Sequence, residues 1–256
     1  MNTYEKELEF AKNMAREAGE IMLKYFDANQ KTEFKEDNSP VTIADKMINS
    51  LVIEKLTIAF PEDGVIGEEE SNTEYGMGRK WFCDPIDGTN AYVLGLPTAM
   101  FSLALIVDGK PVVGIAYSPF LNKMYSGVKG EKSLCNDEII SVSDLDLRQG
   151  VVGISGSKVK AFIGHDYFNK MMADKVNFSC ITGTVFKVCL VACGKLAACA
   201  GFGVSPHDVA AVQVILEGSG GIMTTPDGTE LDYSNHFSGA LISNKASRDQ
   251  LIKYCS

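Results

Sequence analysis

Long apolar runs are missing from this 256-residue sequence: none approaches the roughly 18 residues that a membrane-spanning helix requires. Its charged first residues lead into an amphipathic segment and do not form a secretory signal peptide. Basic residues are fewer than acidic ones, 24 against 33, and form no cluster of the kind that neutralises nucleic-acid phosphates. The formal charge of −9 favours divalent cations over polyanions. We therefore expect a cytoplasmic protein that binds neither membranes nor nucleic acid directly.

Paired cysteines are missing as well. The sequence has seven cysteines, an odd number, and no Cys-x-x-Cys motif, which is typical of free thiols in a reducing compartment. Cys189, Cys193 and Cys199 lie among Val, Leu and Ala, so we interpret them as small buried side chains and not as a metal site.

The most informative stretch is WFCDPIDGTN, residues 81–90. Aromatic and apolar residues end in two aspartates, Asp84 and Asp87, followed by Gly88 and Thr89, which predicts a strand that turns into a helix. Two adjacent carboxylates raise each other's pKa unless a cation lies between them. Mg2+ prefers carboxylate oxygens, water and substrate phosphate, so the pair suits Mg2+ better than Zn2+. Taken alone, the pair also fits a turn residue and a helix cap.

Other segments place polar residues where predicted elements begin or end. Glu68 follows a short apolar strand, Asp45 lies in the first turn of a helix that Thr42 caps, and Asp208 begins a helix after a strand of small residues. On composition alone these are an acidic surface patch, a residue that complements the helix dipole, and a plain N-cap. Gly183-Thr184 is likewise only a helix cap when taken alone.

Together these segments resemble the inositol monophosphatase family, whose members are Mg2+-dependent, lithium-sensitive phosphatases. Residues 84–89, Asp-Pro-Ile-Asp-Gly-Thr, match its signature. Gly67-Glu68-Glu69 matches its Gly-Glu-Glu element, and residues 208–211, Asp-Val-Ala-Ala, match its Trp-Asp-x-Ala-Ala element in order and at similar spacing. Pro85 stands where haloacid-dehalogenase-type phosphatases carry a nucleophilic aspartate, so this motif does not offer a covalent aspartyl route.

The resemblance implies a site built from residues distant in sequence. The implied metal ligands are Glu68, Asp84, the carbonyl of Ile86, Asp87 and Asp208. The implied substrate contacts are Asp87, Gly88, Thr89, Gly183, Thr184 and Asp208. The implied cofactor is two or three Mg2+ ions.

The implied mechanism is hydrolysis of a phosphate monoester without a covalent intermediate. One ion would be held by Glu68, Asp84 and the Ile86 carbonyl, and a second by Asp84, Asp87 and Asp208, about 3.5–4 Å from the first. Glu68 and Thr89 would help to deprotonate the attacking water, and Asp45 would orient Thr89. The amides of Gly88 and Thr89 would bind phosphate oxygens.

The fold expected from the patterns is α+β. They predict a helix from Tyr4 to about Asp27, a β-hairpin turning at Asp108-Gly109, and strand–helix alternation beginning near residue 150. We expect one phosphatase domain over residues 1–256, in which an α+β part (about 1–149) and an α/β part (150–256) share one cleft. The resemblance adds a layered αβαβα sandwich of the inositol monophosphatase/fructose-1,6-bisphosphatase type and a homodimer.

Two positions depart from the family pattern. His207 replaces the Trp before the last ligand, which fits a pocket-wall histidine better than a general base. Gly201 stands where inositol-specific members have a Glu that bonds the sugar hydroxyls, and losing that contact costs inositol about 1–3 kcal/mol of binding.

The substrate therefore stays open. A small sugar or polyol phosphate such as inositol 1-phosphate is expected, with fructose 1,6-bisphosphate, 3′-phosphoadenosine 5′-phosphate and histidinol phosphate as alternatives. A regulatory binding protein with the same fold is disfavoured, because clustered acids without a cation would be costly to keep.

Overall fold

The computed structural model describes residues 3–26, 32–35, 40–155 and 166–255. The helices are α1 (Glu5–Tyr25), α2 (Ile43–Ala59), α3 (Thr89–Val93), α4 (Tyr167–Ala173), α5 (Thr184–Ala192), α6 (Pro206–Gly218) and α7 (Arg248–Cys255). The strands are β1 (Glu33–Phe34), β2 (Pro40–Val41), β3 (Gly64–Gly67), β4 (Arg79–Asp87), β5 (Met100–Val107), β6 (Lys110–Ser118), β7 (Lys123–Val128), β8 (Leu134–Cys135), β9 (Glu138–Ile139), β10 (Val151–Ser155), β11 (Asn177–Ser179), β12 (Ala198–Gly201), β13 (Ile222–Thr224) and β14 (Ala240–Ser243). Within these residues, no helix is both long and apolar enough to span a bilayer.

A seven-stranded sheet has the strand order β3-β4-β5-β6-β7-β8-β9. Its pairs are antiparallel except β3 with β4. The β5–β6 hairpin turns at Asp108 and Gly109, both with positive φ, as the Asp-Gly pair predicts. The sheet therefore carries β4, with both aspartates of the 81–90 stretch, next to its edge strand.

A five-stranded sheet has the order β11-β10-β12-β14-β13. Strands β11, β10 and β12 are parallel, and β14 is antiparallel to both its neighbours. Because the carboxyl ends of parallel strands meet at one edge, residues at the ends of β10, β11 and β12 lie close together. This edge faces the site described below.

Five layers follow from the packing. Helices α1 and α2 pack on one face of the seven-stranded sheet, around the buried side chains of Trp81 and Phe101. Helices α5 and α6 lie between the two sheets, and α4 and α7 pack on the far face of the second sheet. The predicted αβαβα sandwich is confirmed.

Close packing places α6 on the first sheet. A Cβ atom at Gly114 would lie 2.1 Å from the carbonyl oxygen of Ala211, and one at Gly127 would lie 3.0 Å from the backbone of Ile215. Glycine at these two positions therefore lets the backbone of α6 contact β6 and β7. This contact fixes where the first turn of α6 points.

Two helix starts decide the position of acidic residues. In α2, Thr42 is the N-cap, as predicted, and Asp45 completes a capping box. In α6 the N-cap is Ser205, and Asp208 is the third helical residue, whose carboxylate accepts from the backbone N–H of Ser205. The interpretation of Asp208 as a plain N-cap is wrong.

Candidate active site

Three carboxylates converge between the two sheets. Oxygen atoms of Asp84, Asp87 and Asp208 all lie within 4.8 Å of one another. Asp84 and Asp87 are buried on β4, and Asp208 reaches them, partly exposed, from the first turn of α6. Residues 84 and 208 are thus brought together by the packing of α6 on the sheet.

A β-bulge allows the two β4 aspartates to share this site. Asp84 pairs with Ser102 and Asp87 with Met100, so β4 has one more residue in this interval than β5. Side chains three residues apart in a regular strand point to opposite faces, whereas a bulge re-aims one of them. Pro85, which has no N–H to give to a ladder, lies inside the bulge.

Burial and mutual repulsion make the cluster electrostatically unfavourable without a cation. Burial, then Glu68, Asp87 and Asp208, raise the pKa of Asp84 well above its ordinary value. Burial and Asp208 raise the pKa of Asp87 to about 7, against the opposing effects of two backbone amides and Lys187. The pKa of Asp208 is also raised, chiefly by burial.

The residues fit a divalent cation. Oδ1 of Asp84 is buried and has no hydrogen-bond partner among the described residues. A buried carboxylate oxygen with no donor, beside two further carboxylates, is the donor set that Mg2+ takes. Asp84, Asp87 and Asp208 would hold such an ion.

Asp87 has a second role that its sequence position does not reveal. Its Oδ1 accepts from the backbone N–H of Thr184 and its Oδ2 from that of Val185, both at 2.9 Å. It therefore caps α5 from β4, and the backbone N–H of Thr184 is not available to a substrate. Gly183 is required here because its φ is +88° and a Cβ atom would lie 2.9 Å from Asp87 Oδ2.

Glu68 lines the same cavity but lies outside the three-carboxylate cluster. Lys35 bridges it to Glu69, with its nitrogen 2.9 Å from Glu68 Oε1 and 2.6 Å from Glu69 Oε1. Burial opposes the charge on Lys35, yet the two glutamates raise its pKa. Sequence reasoning missed Lys35, which lies in a short polar segment with no distinguishing pattern.

Thr89 and Asp45 are adjacent, as the resemblance implies. The Thr89 hydroxyl lies 3.0 Å from the Ile86 carbonyl oxygen and 3.4 Å from Asp45 Oδ1, so its hydrogen can reach either acceptor. Thr42 donates to Asp45 Oδ2 from its N–H at 2.8 Å and its hydroxyl at 2.6 Å. Burial raises the pKa of Asp45 to about 7 despite these two bonds.

A cavity of about 280 Å3 lies beside these groups. It is lined by Glu68, Asp84, Asp87 and Asp208, together with the turn at Gly88 and Thr89. At the carboxyl edge of the second sheet and on α5, whose start is bonded to Asp87, it is also lined by Ser155, Ile181, Thr182, Thr184, Lys187 and Val204.

The two positions that depart from the family pattern differ in their relation to the cavity. His207 Nε2 lies 3.7 Å from Asp208 Oδ1, beside the three-carboxylate cluster. Gly201 is buried and does not line the cavity, whereas Val204 does. A Cβ atom at Gly201 would lie 3.1 Å from Val204 Cγ1, so valine fills the space beside residue 201. Val204, and not Gly201, is therefore the residue here that can contact a substrate.

Lys187 and Ser155 are further cavity residues that the sequence analysis missed. Lys187 interrupts an otherwise apolar helix, residues 184–192, and is buried in the structure. The sequence signal that could have identified Lys187 is its position as a lone charged residue inside an apolar helix.

Comparison with known proteins identifies the family. The family model described as "Inositol monophosphatase family" matches residues 3–256. An inositol monophosphatase of Dictyostelium discoideum is 28% identical, covering 91% of this chain and 89% of its own. A histidinol-phosphatase of Chlorobaculum parvum is 30% identical over 84% of both chains. A fructose-1,6-bisphosphatase/inositol-1-monophosphatase of Aquifex aeolicus is 30% identical, covering 99% of this chain and 96% of its own.

A solved structure of an inositol monophosphatase has the same fold as this chain. An inositol monophosphatase from Zymomonas mobilis is 26% identical, with a TM-score of 0.85 over 100% of this chain and 99% of its own. Fold, acidic cluster and sequence matches lead to one conclusion: the chain belongs to the inositol monophosphatase family of phosphate monoester hydrolases.

Proposed function

We propose that this phosphatase uses Mg2+ held by Asp84, Asp87 and Asp208, with Glu68 and the Ile86 carbonyl completing the ligand set for two or three ions. The observation that carries this proposal is the convergence of three carboxylates within 4.8 Å around the unpartnered Oδ1 of Asp84. Such a cluster is unfavourable unless cations balance it.

Bound Mg2+ would supply an activated water and neutralise charge on the phosphate and the leaving oxygen. Asp45 and Thr89 would handle the proton of that water. The Thr89 hydroxyl can donate to Asp45 Oδ1 at 3.4 Å, which leaves its oxygen able to accept from the water. Asp45, with a pKa of about 7, is suited to share a proton near neutral pH. Glu68 would help in this step while its Oε1 accepts from Lys35 at 2.9 Å.

Gly88 and Thr89 would bind the phosphate through their backbone N–H groups. Gly88 adopts φ +83°, and a Cβ atom there would lie 3.2 Å from Gly183 Cα, so a side chain would narrow the entry to this turn. Beside this turn, Gly183 and the Thr184 hydroxyl would contact the substrate. Asp87 would act there indirectly, by fixing the start of α5.

The leaving group would be a small alcohol, because the cavity of about 280 Å3 also has to hold the phosphate and the ions. A sugar or polyol phosphate fits this size. Relatives named for histidinol phosphate and for fructose 1,6-bisphosphate keep those esters as alternatives.

The resemblance extends the proposal to three further properties. We propose inhibition by lithium, a homodimeric assembly and a cytoplasmic location. The free state of the cysteines is consistent with a reducing compartment.

Phosphate release from a panel of monoesters, with Mg2+ and with excess chelator, tests the proposal. We expect activity only with the metal, and a loss of about 100-fold or more in kcat for Asp84→Asn, comparable to removal of other strong electrostatic groups. The matched control is Asp249→Asn, on the exposed surface of α7. If Asp84→Asn kept full turnover while the chelator had no effect, the proposed metal role would be wrong.

A further inference from the structure

A buried lysine lines the cavity from α5, the helix whose start Asp87 caps. Lys187 lies on α5, and only 3% of its surface is exposed. Its nitrogen donates to the carbonyl oxygens of Ile154 at 3.1 Å and Ile181 at 2.7 Å, at the ends of β10 and just beyond β11. The ammonium group thus lies at the carboxyl edge of the second sheet, where it lines the cavity.

This positive charge has no close counter-ion. Among the described residues, no carboxylate forms an ion pair with Lys187 within 4.0 Å. Asp87 is near enough for the lysine to lower its pKa, but both Asp87 oxygens are already bonded to amides of α5. Lysine is almost never fully buried without a partner of opposite charge.

Hydrogen-bond donors remain available at the same place. An ammonium group has three hydrogens, and the two carbonyls take two of them. The hydroxyls of Ser155 and Thr184 lie 2.8 Å apart, so one donates to the other and the second hydroxyl keeps its hydrogen. All three side chains line the cavity, and Ser155 is itself buried.

Among the described residues, the wall formed by Ser155, Thr184 and Lys187 has one acid in hydrogen-bond contact, Asp87, and both oxygens of that acid are bonded to backbone amides of α5. The cavity-lining carboxylates are those of the metal cluster and Glu68. Val204 fills the space beside Gly201, so no acid stands there to receive hydrogen bonds from sugar hydroxyls. The wall therefore donates hydrogen bonds and carries positive charge, which suits an acceptor that is negatively charged.

We propose that Lys187, with Ser155 and Thr184, binds a second anionic group carried by the leaving alcohol, either a phosphate or a carboxylate. This inference rests on the proposed function, because it presumes that the ester phosphate occupies the metal side of the cavity. Such an anion-binding wall would make bisphosphate esters or phosphorylated hydroxy acids better substrates than phosphates of uncharged polyols of similar size.

Matched substrate pairs test the inference. Fructose 1,6-bisphosphate is compared with fructose 1-phosphate for a second phosphate, and 2-phosphoglycerate with glycerol 2-phosphate for a carboxylate. We expect kcat/KM of the wild type to be about 10- to 100-fold higher for the member with a second anionic group in at least one pair, as for a charge-assisted contact. The pair that shows the preference identifies the kind of anion.

The variant Lys187→Met removes the charge and keeps much of the length. We expect this variant to reduce the ratio of kcat/KM within the preferred pair by about 10-fold or more, mainly by raising KM for the ester with the second anionic group. The control Lys195→Met, at an exposed lysine beyond α5, should leave the ratio unchanged. If Lys187→Met lowered kcat/KM equally for both esters of the pair, the lysine would only hold the ends of β10 and β11 in place, and the inference would be overturned.

Ser155→Ala provides an independent readout if Lys187→Met does not fold. It removes the hydroxyl that orients Thr184 without removing a buried charge, and we expect a partial loss of the same ratio. Equal kcat/KM within both pairs for the wild type would refute the inference while leaving the phosphatase proposal intact. No phosphate release from any of the four esters would instead count against both.

Discussion

Replacing one acid of the cluster should stabilise the metal-free protein. Two unit charges 4.8 Å apart, the largest separation in the cluster, repel by about 3 kcal/mol at an effective dielectric constant near 20. Asp84→Asn removes two such repulsions without losing a hydrogen bond from Oδ1, which has no partner. Partial protonation relieves some of this repulsion at neutral pH, so we expect a net gain of about 2–3 kcal/mol, or roughly 5–10 °C in Tm.

Thermal melts in excess chelator and in saturating Mg2+ measure both halves of this prediction. A cation at 100 times its Kd stabilises the wild type by about 2.7 kcal/mol, whereas the variant lacks a central ligand and should gain much less. The stability advantage that the variant has in chelator should therefore largely disappear in Mg2+, because the wild type's gain of about 2.7 kcal/mol offsets it. Asp249→Asn, with an exposed carboxylate, should follow the wild type in both conditions.

Two results would refute the reasoning. A variant less stable than the wild type in chelator would show that Asp84 is stabilised by its surroundings and not repelled by its neighbours. Equal gains from Mg2+ in wild type and variant would show that Asp84 does not hold the cation.

Three further predictions concern pH, the α5 cap and the Asp45–Thr89 contact. Burial raises the pKa of Asp45 to about 7, so the folded state holds this proton more tightly than the unfolded chain does. In chelator, the resulting contribution to stability is present below about pH 4 and is lost as the pH rises through 7. Urea unfolding should therefore show a flatter pH profile for Asp45→Asn than for the wild type, with Glu68 and Glu69 facing the site in both. Gly183→Ala should cost roughly 1–3 kcal/mol in urea unfolding because φ is +88° and the new methyl meets Asp87 Oδ2. Asp45→Asn should lower kcat by about 10-fold or more with little change in KM, because the amide can still accept from the Thr89 hydroxyl but cannot take up a proton.

Each has an outcome that contradicts it. A parallel pH profile in Asp45→Asn would exclude Asp45 as the source of the slope. An unchanged unfolding free energy in Gly183→Ala would mean that the turn relaxes freely. An unchanged kcat in Asp45→Asn would exclude a role in proton handling.

Local patterns predicted most of the fold. The apolar spacing of α1, the Asp-Gly turn at residues 108–109 and the Thr42 cap each depend on neighbours in sequence, and the structure confirms them. The five layers came from the family resemblance and not from periodicity, because periodicity identifies elements but not which faces meet.

The site was predictable only in part, and the reason is the range of its contacts. The spacing of Asp84 and Asp87 indicated a metal site, but the bulge that lets them converge depends on pairing with β5. Asp87 caps α5 by bonding to Thr184 and Val185, which lie 97 and 98 positions later in the chain. The Lys35 bridge likewise spans more than thirty residues. No window of local sequence contains such information.

The two glycines beneath α6 have a consequence for the chemistry. A methyl group on Gly114 would sit 2.1 Å from the Ala211 carbonyl, so the helix would have to move away by about 1.3 Å to reach an ordinary contact of 3.4 Å. Asp208, three residues earlier on that helix, would move away from Asp84 and Asp87. Gly114 and Gly127, which do not line the cavity, thus control the distance between Asp208 and the two aspartates of β4.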